Sequence, residues 1–258
     1  NPTLFGEGVS MEDQRFAGDL FLWKTHDDFR DWIYKSPAPL VAAQILRSKT
    51  VRHFYDQTFV KPAGCHVATP WHQDITFWPV DVESRSLCSI WITFDPVERG
   101  TSGLEFVRGS QRWPERYKAT TPTHEPYMLD SDFDDPPDIE GSRDEYDLYC
   151  PDMQPGDCMI FDAHVLHGST GNYSDSPRRA FTTRWAGDDV RLDPRHATMP
   201  LLWTHGLRAG DTLSGPLFPQ VLPTTIDEEG AARATGPEAP DPQLVEEFVA
   251  RVASVPLR

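Results

Sequence analysis

The sequence predicts a mainly β protein with a few flanking helices. Its 258 residues include 24 prolines and 17 glycines, which interrupt helices and favour turns. Short runs rich in β-branched and aromatic residues lie between these breaks. This pattern favours a loop-rich β architecture over a helical bundle, and sandwiches and barrels of this length commonly form one domain. We expect a single domain over 1–258 with its β core at about 51–186.

Helices are predicted ahead of the core. Apolar residues recur at helical spacing over 26–34, and Pro39 begins a second apolar run of the same kind. We expect both helices to pack on the outside of the sheet. Strands then dominate from Val51 to Trp185. Because the first residue is Asn1, the numbering is expected to begin inside a longer natural chain.

Residues 120–147 differ in composition from the strands on either side. The stretch DSDFDDPPDIEGSRDEYD carries nine acidic residues against one arginine, together with paired prolines. A charge run of this kind is typical of a solvated loop. The alternative is a lid over the active site, which would order when substrate binds. Acidic residues there would favour a cationic or amine-bearing substrate.

The tail 187–258 carries little periodic pattern before its end. Leu201, Trp203 and Phe218 are expected to seal the core or its pocket. The stretch 227–242 is typical of a flexible linker. Apolar residues at helical spacing then predict a terminal amphipathic helix, marked by Leu244, Phe248 and Val252.

Two runs predict strands whose faces differ in polarity. In SLCSIWITF one face mixes polar groups with an indole, as a cavity lining would, and consists of Leu87, Ser89, Trp91 and Thr93. The opposite face is expected to belong to the core and consists of Cys88, Ile90, Ile92 and Phe94. In VRHFYDQTFV the face that would border a polar pocket, or solvent if the strand is an edge, consists of His53, Tyr55, Gln57 and Phe59.

Composition argues against several function classes. The net charge of −16 and the pI near 4.8 disfavour a nucleic-acid or anionic-membrane partner, because such binding needs a basic surface. No apolar run approaches the roughly 20 residues of a membrane span, and no signal-peptide pattern opens the chain. The four cysteines show no CxxC spacing, so we expect reduced thiols, with Cys88 and Cys158 buried in apolar strands. A soluble protein is expected.

The fragment TPWHQDITFW contains a half-site for a metal ion. If it is extended, His72 and Asp74 project from one face with Cα atoms roughly 7 Å apart and can converge on one ion. A third ligand can come from His167, which follows a PGD turn and an apolar strand. Two histidines and one carboxylate suit non-haem Fe(II), because other coordination positions stay open. His164 is the alternative ligand if the strand register differs.

Arg178 begins the apolar run RRAFTTRW, eleven residues after His167. A guanidinium holds a carboxylate by two parallel hydrogen bonds and keeps its charge. It therefore suits the distal carboxylate of a keto-diacid chelated to iron. Arg179 is the competing candidate, and a surface salt bridge is the alternative role for an arginine at this position.

Taken together, these motifs resemble the phytanoyl-CoA dioxygenase family of Fe(II)/2-oxoglutarate oxygenases, which includes ectoine hydroxylase-like and natural-product tailoring enzymes. The resemblance rests on WHQD, a WIT strand, GLEFVRGSQRW, QPGD with CMIF, LHGS and PRRA, from about Phe54 to Trp185. It implies a double-stranded β-helix, a jelly roll of the cupin type. It also implies that O2 and 2-oxoglutarate are consumed to give succinate and CO2 while a small molecule is hydroxylated or otherwise oxidised, with ascorbate as an accessory reductant.

The resemblance also implies roles for individual residues. His72, Asp74 and His167 correspond to the iron ligands, and Arg178 corresponds to the residue that grips the 2-oxoglutarate C5 carboxylate. Further positions of the co-substrate pocket correspond to Ser169, Gln57, Trp91 and Lys61. The intact Asp74 favours hydroxylation over halogenation, since halogenating relatives replace this carboxylate with a small residue.

Aromatic residues flank the proposed metal site. Phe77 and Trp78 follow HQD closely, and Trp185 ends the strand that Arg178 begins. If they border the cavity, the substrate has a sizeable apolar part, such as a ring. The alternative for each is ordinary core packing.

Two other functions are compatible with the scaffold. A zinc-dependent hydrolase or isomerase could use the same ligands, but it would give no role to Arg178. A non-catalytic ligand binder would be marked by loss of a metal ligand, and all three are present. We expect a cytoplasmic monomer or homodimer that acts on a small-molecule substrate, with no nucleic-acid or membrane partner.

Overall fold

The computed structural model describes residues 3–5, 16–119, 132–195, 197–223 and 241–253. Within these ranges the chain forms two antiparallel sheets. The strands are β1 Thr3–Phe5, β2 Phe16–Leu20, β3 Val51–Lys61, β4 Thr69–His72, β5 Leu87–Thr93, β6 Leu104–Val107, β7 Leu148–Tyr149, β8 Cys158–Asp162, β9 His167–Ser169, β10 Arg178–Ala186 and β11 Gln220–Leu222. The α-helices are α1 Asp27–Lys35, α2 Ala38–Leu46, α3 Asp74–Phe77 and α4 Pro242–Ala253.

The two sheets pack face to face. The larger has the order β1-β2-β3-β10-β5-β8, with β11 also paired to β3, and the smaller has the order β4-β9-β6-β7. Trp91, Phe161 and Ala180 of the larger sheet share one apolar cluster with Leu104 and Phe106 of the smaller. This cluster fills part of the space between the sheets, and polar side chains of the same inner faces occupy the rest.

Helices α1 and α2 cover the outer face of the larger sheet, as predicted. Ile33 of α1 and Ala42 of α2 are fully buried in the same cluster as Cys88, Ile90 and Ile92 of β5. The predicted core face of β5 is therefore confirmed along its length. The buried face ends where β5 ends, at Thr93.

Two residues expected to be buried are exposed. Phe94, one position beyond β5, is 50 % exposed. Cys158 is exposed because it begins β8, which lies at the edge of the larger sheet. The outer helices do not extend over these strand ends. The four cysteines are all free thiols, as expected.

A β-bulge corrects the predicted face of β3. Tyr55 pairs with Arg184 and His53 pairs with Trp185, so Phe54 is an extra residue and the alternation shifts there. His53 therefore packs on Trp185, whereas Tyr55 contacts Arg184 on the inner face. The strand is also not an edge, since β2 and β10 flank it.

The tail closes the outer core, as predicted. Trp203 and Phe218 belong to the outer cluster and Leu201 packs against it. Helix α4 begins at Pro242. Most of the expected linker lies outside the described residues, as do the side chains of Phe248 and Val252.

The acidic segment is described only from residue 132 onward. That part contains a short 3-10 helix, Arg143–Glu145, and a buried side chain, Ile139. Residues 120–131 lie outside the described part, so the choice between solvated loop and lid stays a prediction. None of the described helices is long and apolar enough to cross a membrane.

Truncating the outer core should destabilise the fold strongly. Ile90 is 3 % exposed at the centre of β5, and Ile90→Ala should cost about 2–5 kcal/mol of unfolding free energy because it leaves a cavity. Ile45 is 56 % exposed on α2, and Ile45→Ala should change stability by less than about 0.5 kcal/mol. Denaturant unfolding of both variants checks the difference; equal losses would contradict this account of the core.

Candidate active site

The three predicted metal ligands come from different elements that meet between the sheets. His72 ends β4, His167 begins β9, and the two are direct partners in the β4–β9 ladder. The chain is extended through His72 and Gln73, as predicted, and a helix begins only at Asp74, the first residue of α3. The carboxylate therefore reaches the histidines from the start of a helix.

Gln73 is held in place by its fully buried amide. Its Nε2 donates to the carbonyls of Glu115 and His164, and its Oε1 accepts from the backbone of Tyr117. These bonds tie the fragment to two other loops. The middle residue of the HQD motif therefore has a structural role.

The donor atoms converge as a metal site requires. His72 Nε2 lies 3.6 Å and His167 Nε2 lies 3.9 Å from Asp74 Oδ1. Donors bound to one ion at about 2.1 Å lie about 3 to 3.5 Å apart, so a small contraction would suffice. Within the described residues, this trio is the group of His, Cys, Asp and Glu side chains able to hold an ion.

Hydrogen bonds orient both imidazoles. Nδ1 of His72 donates to the Pro70 carbonyl at 2.8 Å, and Nδ1 of His167 donates to the Val165 carbonyl at 3.0 Å. The Nε2 lone pairs are therefore left facing the cluster, the arrangement a metal-binding histidine needs. Burial is the main cause that lowers the pKa of His167 to about 4, so this ring is a neutral ligand at physiological pH.

Asp74 is kept ionised despite its burial. Burial raises its pKa, but the nearby imidazoles of His72 and His167 and the guanidinium charge of Arg184 outweigh that effect and hold the pKa below its ordinary value. Its Oδ2 accepts a hydrogen bond of 2.9 Å from the Ser89 hydroxyl on β5. The other oxygen remains available to an ion.

His164 is excluded as a ligand by its own contacts. Its Nδ1 pairs with Asp162 and its Nε2 with the Val82 carbonyl, so both ring nitrogens are engaged away from the cluster. His167 instead packs between Phe106 of the smaller sheet and Phe161 of the larger. The glycine after it permits the close approach of β9 to β4, because a Cβ at Gly168 would meet the Thr69 carbonyl at 2.9 Å.

Two cations lie side by side at the other end of the inner face. Arg178 on β10 is the register partner of Lys61 on β3, and both are buried. Lys61 Nζ donates to the hydroxyls of Ser102 and Ser169, each at 2.9 Å. Arg178 donates to Ser102 through one nitrogen, while its buried Nε and Nη1 have no hydrogen-bond partner among the described residues.

Burial disfavours the charged form of both side chains. It lowers the pKa of Arg178 to about 10. Burial and the neighbouring guanidinium together hold the pKa of Lys61 well below its ordinary value. Arg179, the competing anchor, lies on the opposite face and forms an exposed ion pair with Asp95. The unpaired donors of Arg178 instead fit a ligand carboxylate.

The other predicted pocket residues lie beside this pair of cations. The Arg178 guanidinium is 5.8 Å from the centre of the Trp91 ring. Gln57 and Trp91 are both register partners of Thr182, one on each side of β10. The structure therefore brings Lys61, Gln57, Trp91 and Ser169 to the inner face with Arg178. Their contact with a co-substrate stays a prediction.

The predicted substrate-contacting aromatics are core residues in the structure. Trp185 is fully buried on the outer face, against His53, and does not reach the metal cluster. Trp78 is also fully buried and donates to the Tyr55 hydroxyl, so it supports the inner face from behind. Phe77 is half-buried against the outer core.

Sequence patterns missed two inner-face residues that the structure adds. Ser102 bonds both Lys61 and Arg178 with a backbone φ of 65°, an uncommon left-handed conformation for a serine. Arg184 lies on the inner face beside Asp74's partner Ser89. Arg184 could have been predicted on the same strand face as Arg178 because the two are six residues apart, whereas no sequence pattern indicated Ser102.

A family model and a curated relative both point to the same protein family. The model for phytanoyl-CoA dioxygenase matches residues 10–180. A probable phytanoyl-CoA dioxygenase of Caenorhabditis elegans is 26 % identical over 47 % of this chain and 37 % of its own length. The 1-deoxypentalenic acid 11-beta-hydroxylase of Streptomyces arenae is 27 % identical over 66 % of this chain and 55 % of its own length. The chain thus spans about half or less of these relatives.

Comparison with solved structures confirms the fold. The non-heme alpha ketoglutarate dependent carbocyclase SnoK from nogalamycin biosynthesis superposes with a TM-score of 0.68. The two are 21 % identical, and the match covers 85 % of this chain and 81 % of that one. At this identity the likeness establishes the double-stranded β-helix.

Ser89 should strengthen metal binding through Asp74. Ser89→Ala removes the hydrogen bond that orients the carboxylate, so affinity for Co(II) should fall about tenfold. Ser86, just before β5, makes no side-chain hydrogen bond to the described residues, and Ser86→Ala serves as the matched control. Chelator competition measures both; equal affinities for wild type and Ser89→Ala would show that the bond does not tune the site.

Proposed function

The chain belongs to the phytanoyl-CoA dioxygenase family, and from that membership we propose that it is a non-haem Fe(II)- and 2-oxoglutarate-dependent dioxygenase that hydroxylates a small molecule. The observation that carries the proposal is that a metal-binding group and a carboxylate-binding group lie on the same inner surface. One is the converging trio of His72, Asp74 and His167, and the other is the unpaired Arg178 beside Lys61.

The trio fits Fe(II) by its donor chemistry. Two neutral imidazole nitrogens and one carboxylate oxygen leave half of an octahedral coordination sphere open for other ligands. Asp74 also offsets part of the metal charge in a buried site. Because the carboxylate is intact, no ligand position is vacated for halide, which supports hydroxylation as the outcome.

The cation pair fits the distal carboxylate of 2-oxoglutarate. The free Nε–H and Nη1–H of Arg178 can form two charge-assisted hydrogen bonds, and Lys61 adds a second positive charge. Trp91 supports the guanidinium from the side. When bound, Fe(II), 2-oxoglutarate and O2 would supply the oxidising chemistry, with succinate and CO2 as products.

The remaining residues orient the reactants and exclude water. Phe106 and Phe161 enclose His167 with apolar surface, which lowers the local dielectric. Ser89 and the Pro70 and Val165 carbonyls fix the ligands before anything binds. Such preorganisation reduces the rearrangement needed during turnover. Ascorbate as a reductant stays part of the proposal without a structural contact behind it.

Anaerobic addition of Fe(II) and 2-oxoglutarate to the purified protein tests the proposal. A visible charge-transfer band should develop, and succinate should form when O2 is admitted, even without substrate. Asp74→Ala should abolish succinate formation because one of three ligands is lost. A protein that gives neither band nor succinate would overturn the proposed function, and hydrolysis supported by zinc would replace it.

Arg178 and its neighbour provide a matched pair of variants. Arg178→Gln should raise the half-saturating 2-oxoglutarate concentration about 10- to 100-fold, because a charge-assisted bidentate contact is lost. Arg179→Gln removes the same charge from the opposite, exposed face and should leave the value unchanged. Titration of the charge-transfer band measures both. An unchanged requirement in Arg178→Gln would move the anchor elsewhere.

Binding of 2-oxoglutarate should depend on pH through Lys61. Burial and the charge of Arg178 hold the pKa of Lys61 below its ordinary value, and a bound carboxylate would raise it again. Affinity should therefore be full below the depressed pKa and fall as pH rises through it, with proton uptake on binding. Calorimetry in buffers of different ionisation enthalpy measures this uptake. Lys61→Met should bind 2-oxoglutarate more weakly and without proton uptake; identical uptake in that variant would contradict the assignment.

A further inference from the structure

Arg184 is a buried cation to which the proposed reaction gives no role. It lies on β10, is 4 % exposed, and shares the inner face with Arg178 and Thr182 by strand alternation. Its Nε and Nη1 are buried without a hydrogen-bond partner. In the described part of the chain, no acidic side chain forms an ion pair with it.

The guanidinium lies beside the metal cluster. Arg184 is the register partner of Tyr55 on one side and of Ser89 on the other, and the Ser89 hydroxyl donates to Asp74. Because its register partner Ser89 is hydrogen-bonded to Asp74, Arg184 lies beside the proposed metal position.

Aromatic contacts do not provide hydrogen-bond acceptors for the N–H groups of Arg184. The guanidinium carbon lies 4.4 Å from the centre of the Tyr55 ring and 5.8 Å from that of Phe59. Ring faces attract the charge, but they provide no acceptor for N–H groups at the edge of the guanidinium. Buried donors of this strength normally have an acceptor. The geometry predicts that the acceptor arrives with a ligand.

The co-substrate does not require a third cation. Its distal carboxylate is assigned to Arg178 and Lys61, and its proximal carboxylate to the metal. Arg178 and Arg184 are six residues apart on one strand, a Cα separation of about 20 Å, several times the length of a five-carbon diacid. The remaining reactant is the organic substrate.

The geometry points to Arg184 as the residue that binds a carboxylate of the organic substrate and holds the substrate beside the metal. This assignment rests on the proposed function, since it takes the metal and co-substrate positions from it. A carboxylate accepts both free N–H groups in a bidentate pair. It would also neutralise the one inner-face cation that the co-substrate leaves unpaired.

The test uses the full chain loaded anaerobically with Fe(II) and saturating 2-oxoglutarate, so that Arg178 and Lys61 are occupied. The probes are benzoate and cyclohexanecarboxylate, each compared with its uncharged primary amide, and binding is followed by calorimetry and by perturbation of the visible band. Wild type should bind at least one acid about tenfold more tightly than its amide. Arg184→Met should lose that difference, and Arg184→Lys should recover part of it.

Arg179→Met is the matched control, because it removes a cation from the exposed face of the same strand. It should retain the full preference for the acid. Thermal unfolding of the unloaded protein adds a second measurement, the Tm, for which a purely structural role of Arg184 predicts the opposite change. Arg184→Met should unfold at or above the wild-type Tm, since it removes buried donors that lack partners; a structural arginine would give a lower Tm.

The outcomes separate this inference from the proposed function. A wild-type protein without the charge-transfer band fails the proposed function whatever Arg184 does. With the band present, equal binding of acid and amide, or no binding of either acid, overturns the substrate assignment. A tenfold loss of 2-oxoglutarate affinity in Arg184→Met also overturns it, because the carboxylate held there would then belong to the co-substrate.

Discussion

The pairing of His72 with His167 across β4 and β9 is the contact on which the rest of the site depends. It fixes two imidazoles at a ring-centre separation of 4.2 Å, and each Nδ1 is oriented by the carbonyl two residues earlier in the chain. A slip of one residue in this ladder would turn one histidine away from the cluster. The close approach at Gly168, where a Cβ would meet β4, helps to hold the register.

The second feature that defines the site is the charge on its inner surface. Asp74 is the acidic member of the metal cluster, while Lys61, Arg178 and Arg184 contribute three buried cations. Both arginines have buried N–H groups without a hydrogen-bond partner among the described residues, whereas Lys61 donates three hydrogen bonds. Burying such groups lowers stability unless a ligand completes them. The inner surface therefore favours anionic ligands. This holds although the whole chain carries a net charge of −16.

The sequence predicted the parts of the site that are encoded by residue type and spacing. The metal trio, Arg178 and the inner face of β5 were predictable because their motifs are specific in combination. The extended conformation predicted for the whole TPWHQDITFW fragment holds only as far as Gln73, since a helix begins at Asp74. The bulge at Phe54 reversed the expected side of His53, because an inserted residue leaves no trace in periodicity. Ser102 is contributed by a turn distant in sequence, so its contacts depend on the tertiary fold.

An anaerobic crystal structure with Fe(II) and 2-oxoglutarate, measured at the iron absorption edge, tests the central claim most directly. We expect one anomalous peak at bonding distance from His72 Nε2, Asp74 Oδ1 and His167 Nε2. The distal carboxylate of 2-oxoglutarate should pair with both free N–H groups of Arg178. Iron bound elsewhere, or 2-oxoglutarate held by another cation while Arg178 stays unpaired, would contradict the account.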